Sequence, residues 1–409
     1  MGVGRRLSPG SGWLPQHLEL LDDPATKKMR LSCGKVGKDV VRAMAKSLQE
    51  NEILEDLWLD GDVIDIDVAL TLAASLRVNK TLKILRLRGA KVTGTGAAAI
   101  FHALKENVSL QELYLERNGI GLHGAIALAS MLRQNRYLKV LHVSHNPIGS
   151  DGVERIADSL HFNNTLEELC FQQNKLTCYI SETLGSMLLA NSSLRMLYLV
   201  HNNVTTADLT DLCKYIEVNS TLEQFVMTGN TIELEGSEAL GDLLRNSNTL
   251  QKLCLWGNNI GPDGAAAIAS GLKNNSSLKE LRIVMNQVGD GGALALADVL
   301  KENESLTEVD LTSNNINLGG GKALADALET NMTCTTLGIE GNKIGDAKSN
   351  ISHYLKLNKN GRKLMEGGKK LLKDTLVPTS VWAAALGRVT KEPRFFYELI
   401  REKPDLIPC

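Results

Sequence analysis

One motif returns through most of this chain at an exact spacing of 28 residues. The pattern L-x-x-L-x-L-x-x-N begins at Leu54, Leu82, Leu110, Leu138, Leu166, Leu194, Leu222, Leu250, Leu278, Leu306 and Cys334. No step contains an insertion, so eleven units of 28 residues occupy 54–361. A constant period of this length is typical of proteins built from stacked structural units. The spacing therefore predicts one elongated array in place of the two or three globular domains that the length alone suggests.

Each unit is predicted to contain a strand, a turn, a helix and a segment that leads back to the next strand. In the eighth unit Leu253 and Leu255 alternate with other residues, as in a strand with one buried face. Small and aliphatic residues then follow at helical spacing: Ala265, Ile268, Ala269 and Leu272. One unit buries too few aliphatic side chains to offset the entropy lost when its backbone is ordered, so the units must stack with their strands in parallel.

An asparagine recurs in nine consecutive units. The positions are Asn118, Asn146, Asn174, Asn202, Asn230, Asn258, Asn286, Asn314 and Asn342. Because a buried amide can both donate and accept hydrogen bonds, these residues predict a ladder that satisfies the backbone of neighbouring turns. Leucine, alanine and asparagine then do the packing, which explains why aromatic residues make up only 4% of the chain.

The full unit, L-x-x-L-x-L-x-x-N-x-I-G-x-x-G-A-x-A-L-A, resembles the ribonuclease-inhibitor class of leucine-rich repeats. That class also forms the sensor region of NOD-like receptors and the Ran GTPase-activating protein. The resemblance covers residues 26 to about 361. It implies an α/β leucine-rich repeat solenoid, or horseshoe, with a parallel sheet on the concave face and helices on the convex face. It is specific for the fold and does not identify a function.

Three members of that class differ from this chain in informative ways. Ribonuclease inhibitors are rich in cysteine and acidic, whereas this chain has seven cysteines and a net charge of −2. A NOD-like receptor needs a nucleotide-binding domain, but the Gly-Lys runs at 34–38 and 319–322 lack the P-loop pattern. The Ran activator typically has irregular repeats and an acidic tail, whereas these repeats are uniform and the tail is basic. A GTPase-activating protein resembling the Ran activator nevertheless stays an alternative, because residues on the repeat scaffold carry out that activity.

The patterns divide the chain into four regions. Residues 1–25 form an N-terminal leader, 26–53 a degenerate capping repeat, 54–361 eleven repeats, and 362–409 a helical C-terminal cap or tail. The leader is interpreted either as a disordered segment or as an organelle-targeting peptide. The tail either caps the solenoid or binds a partner.

Partner binding is predicted at positions five and seven of the units, which face away from the core on the concave side. The candidates are Trp58, Arg86, Tyr114, Tyr198, Val200, Val226, Trp256 and Val284. The first three predict a mixed-charge docking patch, or alternatively a cation–π cluster satisfied within the chain. The other five predict an apolar docking patch. Its alternatives are coverage by the C-terminal tail, or β-branched residues that merely suit a strand.

Other classes of function find little support. A net charge of −2 argues against general binding to nucleic acid or a membrane surface, and no apolar run is long enough for a membrane span. His142, His145 and His201 lack the spacing of metal ligands, so no catalytic, metal or cofactor site is predicted. Seven cysteines without a CxxC pair fit a reducing compartment such as the cytoplasm.

The prediction is a non-enzymatic scaffold that binds a protein partner through the concave face. A structural subunit of a larger assembly is the further alternative.

Overall fold

A computed structural model describes residues 23, 25–31, 37–61, 63–176 and 180–362. The tail prediction for 363–409 and nearly all of the leader prediction lie outside these residues. The chain divides into an N-terminal body, Met1–Thr231, and a C-terminal body, Ile232–Cys409. Each body is described by itself.

The N-terminal body alternates three-residue strands with helices of ten to thirteen residues. The strands are β1 (Lys28–Arg30), β2 (Asp56–Trp58), β3 (Ile84–Arg86), β4 (Glu112–Tyr114), β5 (Val140–His142), β6 (Glu168–Cys170), β7 (Met196–Tyr198) and β8 (Gln224–Val226). The helices are α1 (Lys38–Ser47), α2 (Ile66–Val78), α3 (Gly94–Leu104), α4 (Gly121–Leu132), α5 (Gly149–Leu160), α6 (Ile180–Ala190) and α7 (Thr206–Val218).

The C-terminal body continues the same alternation. Its helices are α8 (Leu234–Asn246), α9 (Gly261–Leu272), α10 (Gly289–Glu302), α11 (Leu318–Thr330) and α12 (Ala347–Lys359). Its strands are β9 (Lys252–Cys254), β10 (Glu280–Arg282), β11 (Glu308–Asp310) and β12 (Thr336–Gly338).

Within each body the strands form an open sheet in which every strand pairs in parallel with the next in sequence. Leu85 pairs with Leu113 in the N-terminal body, and Leu253 pairs with Leu281 in the C-terminal body. Each pairing joins the same position of successive repeats, and these central leucines are fully buried between sheet and helices. The alternation of strands and helices around a parallel sheet confirms the predicted α/β solenoid.

The predicted asparagine ladder is present. The Asn146 side chain donates to the carbonyl oxygens of Leu115 and Val143, both at 3.0 Å, and accepts from the Ile120 amide at 3.2 Å. The backbone N–H of Asn146 in turn donates to the side-chain oxygen of Asn174 in the next repeat, at 3.2 Å. Each asparagine thus satisfies turn backbone in its own repeat and in the neighbouring one, as the sequence predicts.

A second ladder, which the sequence analysis did not predict, lies where each helix returns to the next strand. Its asparagines each donate to a carbonyl near the end of the helix one repeat earlier: Asn79, Asn107, Asn135, Asn163, Asn191, Asn219, Asn275, Asn303 and Asn331. The same side chains accept from the amides that lead into the next strand, as Asn135 does from Leu138 at 2.8 Å. Carbonyls at helix ends have no partner inside the helix, so this ladder caps them.

The turn after each strand needs a left-handed backbone at position eight of the repeat. The residues are Gly61, Gly89, Arg117, His145, Gln173, His201, Gly229, Gly257, Met285, Ser313 and Gly341, with φ between 51° and 75°. Glycine adopts this conformation freely, whereas other residues pay roughly 1 kcal/mol or more. The six side chains retained here are therefore held at a cost in stability.

Candidate partner-binding surface

The exposed face of the sheet presents positions three, five and seven of each repeat. Successive side chains of a strand point to opposite faces, so these positions face away from the leucines buried at positions four and six. The sequence analysis considered positions five and seven only. Position three shares the same face by the same period of two, and that signal identifies its residues from sequence alone.

In the N-terminal body, cations and rings alternate at position five along five consecutive strands. The Arg30 guanidinium lies 4.4 Å from the Trp58 ring centroid. The Arg86 guanidinium lies 4.5 Å from Trp58 and 4.6 Å from Tyr114. The Tyr114 ring is followed by the His142 ring, with centroids 4.8 Å apart. This cation–ring row spans β1 to β5 and joins the predicted residues Trp58, Arg86 and Tyr114.

Carboxylates at position three of alternate strands flank the row and compensate its charges. Asp56 lies 2.5 Å and Glu112 3.7 Å from the Arg86 guanidinium, and Glu168 lies 2.9 Å from the His142 Nε2. The side chain of Arg86 is only 18% exposed. This geometry matches the internally satisfied cluster that the sequence left as one interpretation. The use of the same residues for docking stays a prediction.

Position seven adds a second carboxylate beneath His142. The buried Glu116 carboxylate accepts a hydrogen bond from Arg88 at 2.8 Å and lies 3.7 Å from the His142 Nδ1. Burial by itself raises the pKa of Glu116, but the attraction of His142 and the hydrogen bond from Arg88 outweigh it and lower the pKa to about 2. Glu116 is therefore ionised at neutral pH.

His142 is expected to titrate with a pKa of about 9. Burial lowers the pKa of this imidazole, but hydrogen bonds to Glu116 and Glu168 reverse the shift and raise it above the ordinary value of 6.5. A folded pKa above the unfolded one means that the ion pairs stabilise the protein fully below pH 6.5. That stabilisation is lost as the pH rises through about 9.

NMR titration of the histidine ring signals measures this pKa, with His142→Gln to assign the resonance. Glu168→Gln should move the His142 pKa back towards its ordinary value. His145 serves as the internal control, because burial and the nearby Arg117 lower its pKa. A His142 that titrates at or below 6.5 would show that the two carboxylates do not hold its proton.

The predicted apolar patch falls in both bodies. In the N-terminal body Tyr198 and Val200 are half-buried, whereas Val226 is only 8% exposed and offers little surface. In the C-terminal body Trp256 is 51% exposed and Val284 is half-buried. Val226 is the register partner of Tyr198 on the adjacent strand.

The C-terminal body adds Met285, an exposed residue that the sequence analysis missed. Trp256 and Val284 occupy position seven, in the turns that follow the adjacent strands β9 and β10, and Met285 follows Val284 directly with 54% exposure. Met285 occupies the left-handed position at φ 53°, where five other repeats carry glycine. A long apolar residue at a position that favours glycine is the sequence signal that could have identified it.

The described histidines and cysteines form no further site. His201 Nδ1 lies 3.1 Å from the Gly229 carbonyl oxygen. Within the described ranges no group of three or more His, Cys, Asp or Glu side chains is placed to hold a metal ion. Cys170, Cys213, Cys254 and Cys334 are buried thiols. None of the described helices has the length and apolar character needed to cross a membrane.

Comparison with known proteins identifies the repeats. Six segments match the family model described as "Leucine Rich repeat": 78–101, 106–129, 134–157, 246–269, 274–297 and 302–325. These segments carry the same 28-residue register as the strands and helices above. A comparison with curated proteins gave no match.

Several solved structures are similar at low identity. An internalin from Listeria monocytogenes is 18% identical over 82% of this chain and 86% of its own, with a TM-score of 0.47. The actin-binding site 2 of leiomodin-1 is 21% identical over 38% of this chain and 88% of its own, with a TM-score of 0.33. The tropomodulin C-terminal domain of Caenorhabditis elegans is 17% identical over 40% of this chain and 98% of its own, with a TM-score of 0.33.

Proposed function

We propose, starting from a leucine-rich repeat solenoid, that this chain is a non-enzymatic scaffold whose exposed sheet face binds a protein partner. Trp256 carries the proposal. It is 51% exposed in the turn after β9, where the fold requires no ring, and tryptophan is among the residues that contribute most to binding energy at interfaces. In the proposal, the exposed sheet face corresponds to the concave face of the ribonuclease-inhibitor class. The protein is proposed to act in the cytoplasm.

The proposed binding residues are the eight candidates of the sequence analysis together with Met285. In the N-terminal body the rings of Trp58 and Tyr114 are held in place by stacking against Arg86. Side chains that are already ordered lose less conformational entropy when a partner binds. The cation–ring row therefore supports binding as a preformed surface, although its charges are compensated within the chain.

Trp256→Ala is expected to weaken partner binding by about tenfold or more, because removal of an interface tryptophan commonly costs 2 kcal/mol or more, on the order of thirtyfold. The melting temperature should stay unchanged, since half of the side chain is in solvent. Crosslinking mass spectrometry on native extract first identifies the partner. Pull-down and calorimetry with the purified partner then measure the loss.

Leu294→Ala is the matched control. Leu294 lies on α10 of the same body and is 49% exposed, so its removal takes away a similar fraction of apolar surface from the helical side. Binding should survive this change. If Leu294→Ala abolishes binding and Trp256→Ala does not, the partner contacts the helices, and the sheet-face proposal is wrong.

A further inference from the structure

The exposed apolar surface of the C-terminal body lies at positions seven and eight of two adjacent repeats. Trp256 and Val284 are neighbours in register, and the Gly257 amide donates to the Val284 carbonyl at 2.9 Å. Met285 extends this surface. Tryptophan and methionine are the residue types that interfaces favour, and methionine also adapts to partners of different shape.

Met285 adopts a backbone conformation that residues other than glycine disfavour. Its φ of 53° lies in the left-handed region, where the preceding repeat has Gly257 and the following repeat has Ser313 at the equivalent position. A strained residue that is largely exposed gains no packing in return. Strain of this kind is commonly retained where the side chain has a function.

An acidic pocket opens beside this surface on β10 to β12. It has a volume of about 60 Å³ and is lined by Glu280, Arg282, Glu308, Val309, Asp310, Thr336 and Gly338. Gly338 makes room for the Asp310 carboxylate, because a Cβ atom at position 338 would overlap its Oδ1. Of the lining residues, Arg282 lies two residues before Val284, a separation of about 7 Å along the chain, and Asp310 lies beside Arg282 on the next strand.

The charges of the pocket are not balanced within the described residues. Glu280 pairs with Arg282 and, at 3.0 Å, with Lys252. Neither Glu308 nor Asp310 has a cation at ion-pair distance in the described part of the chain. Arg282 is the register partner of Asp310 and is attracted to it, so the three carboxylates Glu280, Glu308 and Asp310 exceed the cations of Arg282 and Lys252 by one charge. This excess favours a further cation from outside. This differs from the N-terminal body, where Arg86 and His142 have carboxylate partners.

We propose that the sheet face of the C-terminal body binds a basic segment of a protein partner. An apolar side chain of that segment packs on Trp256, Val284 and Met285, and a lysine or arginine a few residues away enters the pocket beside Glu308 and Asp310. The apolar surface holds the apolar side chain of the partner, and the carboxylates of Glu308 and Asp310 favour a positively charged partner residue. This inference rests on the proposed function and adds the chemistry of the partner to it.

The test uses the full chain and a phage-displayed library of random short peptides. Selected peptides should combine an apolar residue with lysine or arginine, and higher salt should weaken their binding. The double variant Glu308→Gln/Asp310→Asn should lower their affinity by about tenfold, since each exposed ion pair contributes up to roughly fivefold. Met285→Gly should also weaken binding, while the melting temperature stays equal or rises.

The outcomes separate this inference from the proposed function. The inference fails if no peptide is enriched, if enriched peptides lack basic residues, or if the double variant binds them equally well. It also fails if crosslinks place residues 363–409 or a second copy of the chain on Trp256. If peptides or the native partner require Trp256 but not Glu308 and Asp310, the proposal of sheet-face binding is retained and the proposal of a basic partner segment is wrong. If Trp256→Ala binds everything undiminished, the proposed function itself fails.

Discussion

Gly271→Ala is expected to destabilise the C-terminal body by about 3 kcal/mol, the upper end of what overpacking commonly costs. A Cβ atom at position 271 of α9 would overlap the backbone carbonyl of Gly241 on α8. The reverse contact is also tight, since a Cβ at position 241 would lie 2.5 Å from the Ala267 carbonyl oxygen. Backbone cannot rotate away as a flexible side chain can, so the two helices must separate to accept one methyl group.

Chemical or thermal unfolding of the full chain measures this loss, and Gly291→Ala provides the control. Gly291 lies in α10, where a Cβ would come within 3.4 Å of Pro262, an ordinary contact. Because alanine favours helix over glycine by about 1 kcal/mol, Gly291→Ala should be neutral or slightly stabilising. The same preference favours Gly271→Ala, so any net loss there measures the clash. Equal stability of the two variants would contradict the close approach of α8 and α9.

Most of the fold could be predicted because each repeat contacts chiefly its neighbours. The leucines that alternate in every strand, such as Leu253 and Leu255, are fully buried as expected. The first asparagine ladder followed from the recurrence of a single buried residue type. The second ladder was not predicted, because its asparagines cap the helix of the repeat before their own. Its role depends on carbonyls of the preceding repeat, 31 residues away for Asn135 and Leu104.

The surface was predictable in outline only. Alternation placed Trp58, Arg86 and Trp256 on one face, but the state of Arg86 depends on carboxylates at position three of both neighbouring strands. The unusual backbone of Met285 is likewise invisible in composition, because φ is set by the turn and not by the residue type. The acidic pocket arises from Asp310 beside Gly338, one repeat further on. Such features emerge from the pairing of repeats and are absent from any single one.

Asn135→Ala is expected to destabilise the N-terminal body by about 3 kcal/mol. The buried side chain accepts from the amides of Tyr137 at 2.9 Å and Leu138 at 2.8 Å. It also donates to the carbonyl oxygens of Leu104 at 2.7 Å and Asn107 at 3.2 Å. Alanine leaves these backbone groups without a partner, and each buried unsatisfied group costs roughly 1–3 kcal/mol. Part of this is recovered where water reaches the groups.

Unfolding curves measure the loss, and hydrogen exchange locates it. The amides of Tyr137 and Leu138 should exchange faster in Asn135→Ala, since both lose their acceptor. Asn164→Ala is the control, because Asn164 is exposed and surface changes away from special contacts stay within about 0.5 kcal/mol. A destabilisation no larger than that of Asn164→Ala would mean that the second ladder does not hold the helix ends.

Asn135→Asp separates the donor half of the side chain from the acceptor half. An aspartate keeps the oxygen that accepts from Leu138 but turns its second oxygen towards the carbonyls of Leu104 and Asn107. Burial and these carbonyls raise its pKa in the folded state, so the destabilisation should grow as the pH rises above about 3.9, the ordinary value for aspartate. A stability difference from the native chain that does not change with pH would show that the carboxylate escapes to solvent. The amide donors would then not be what this position requires.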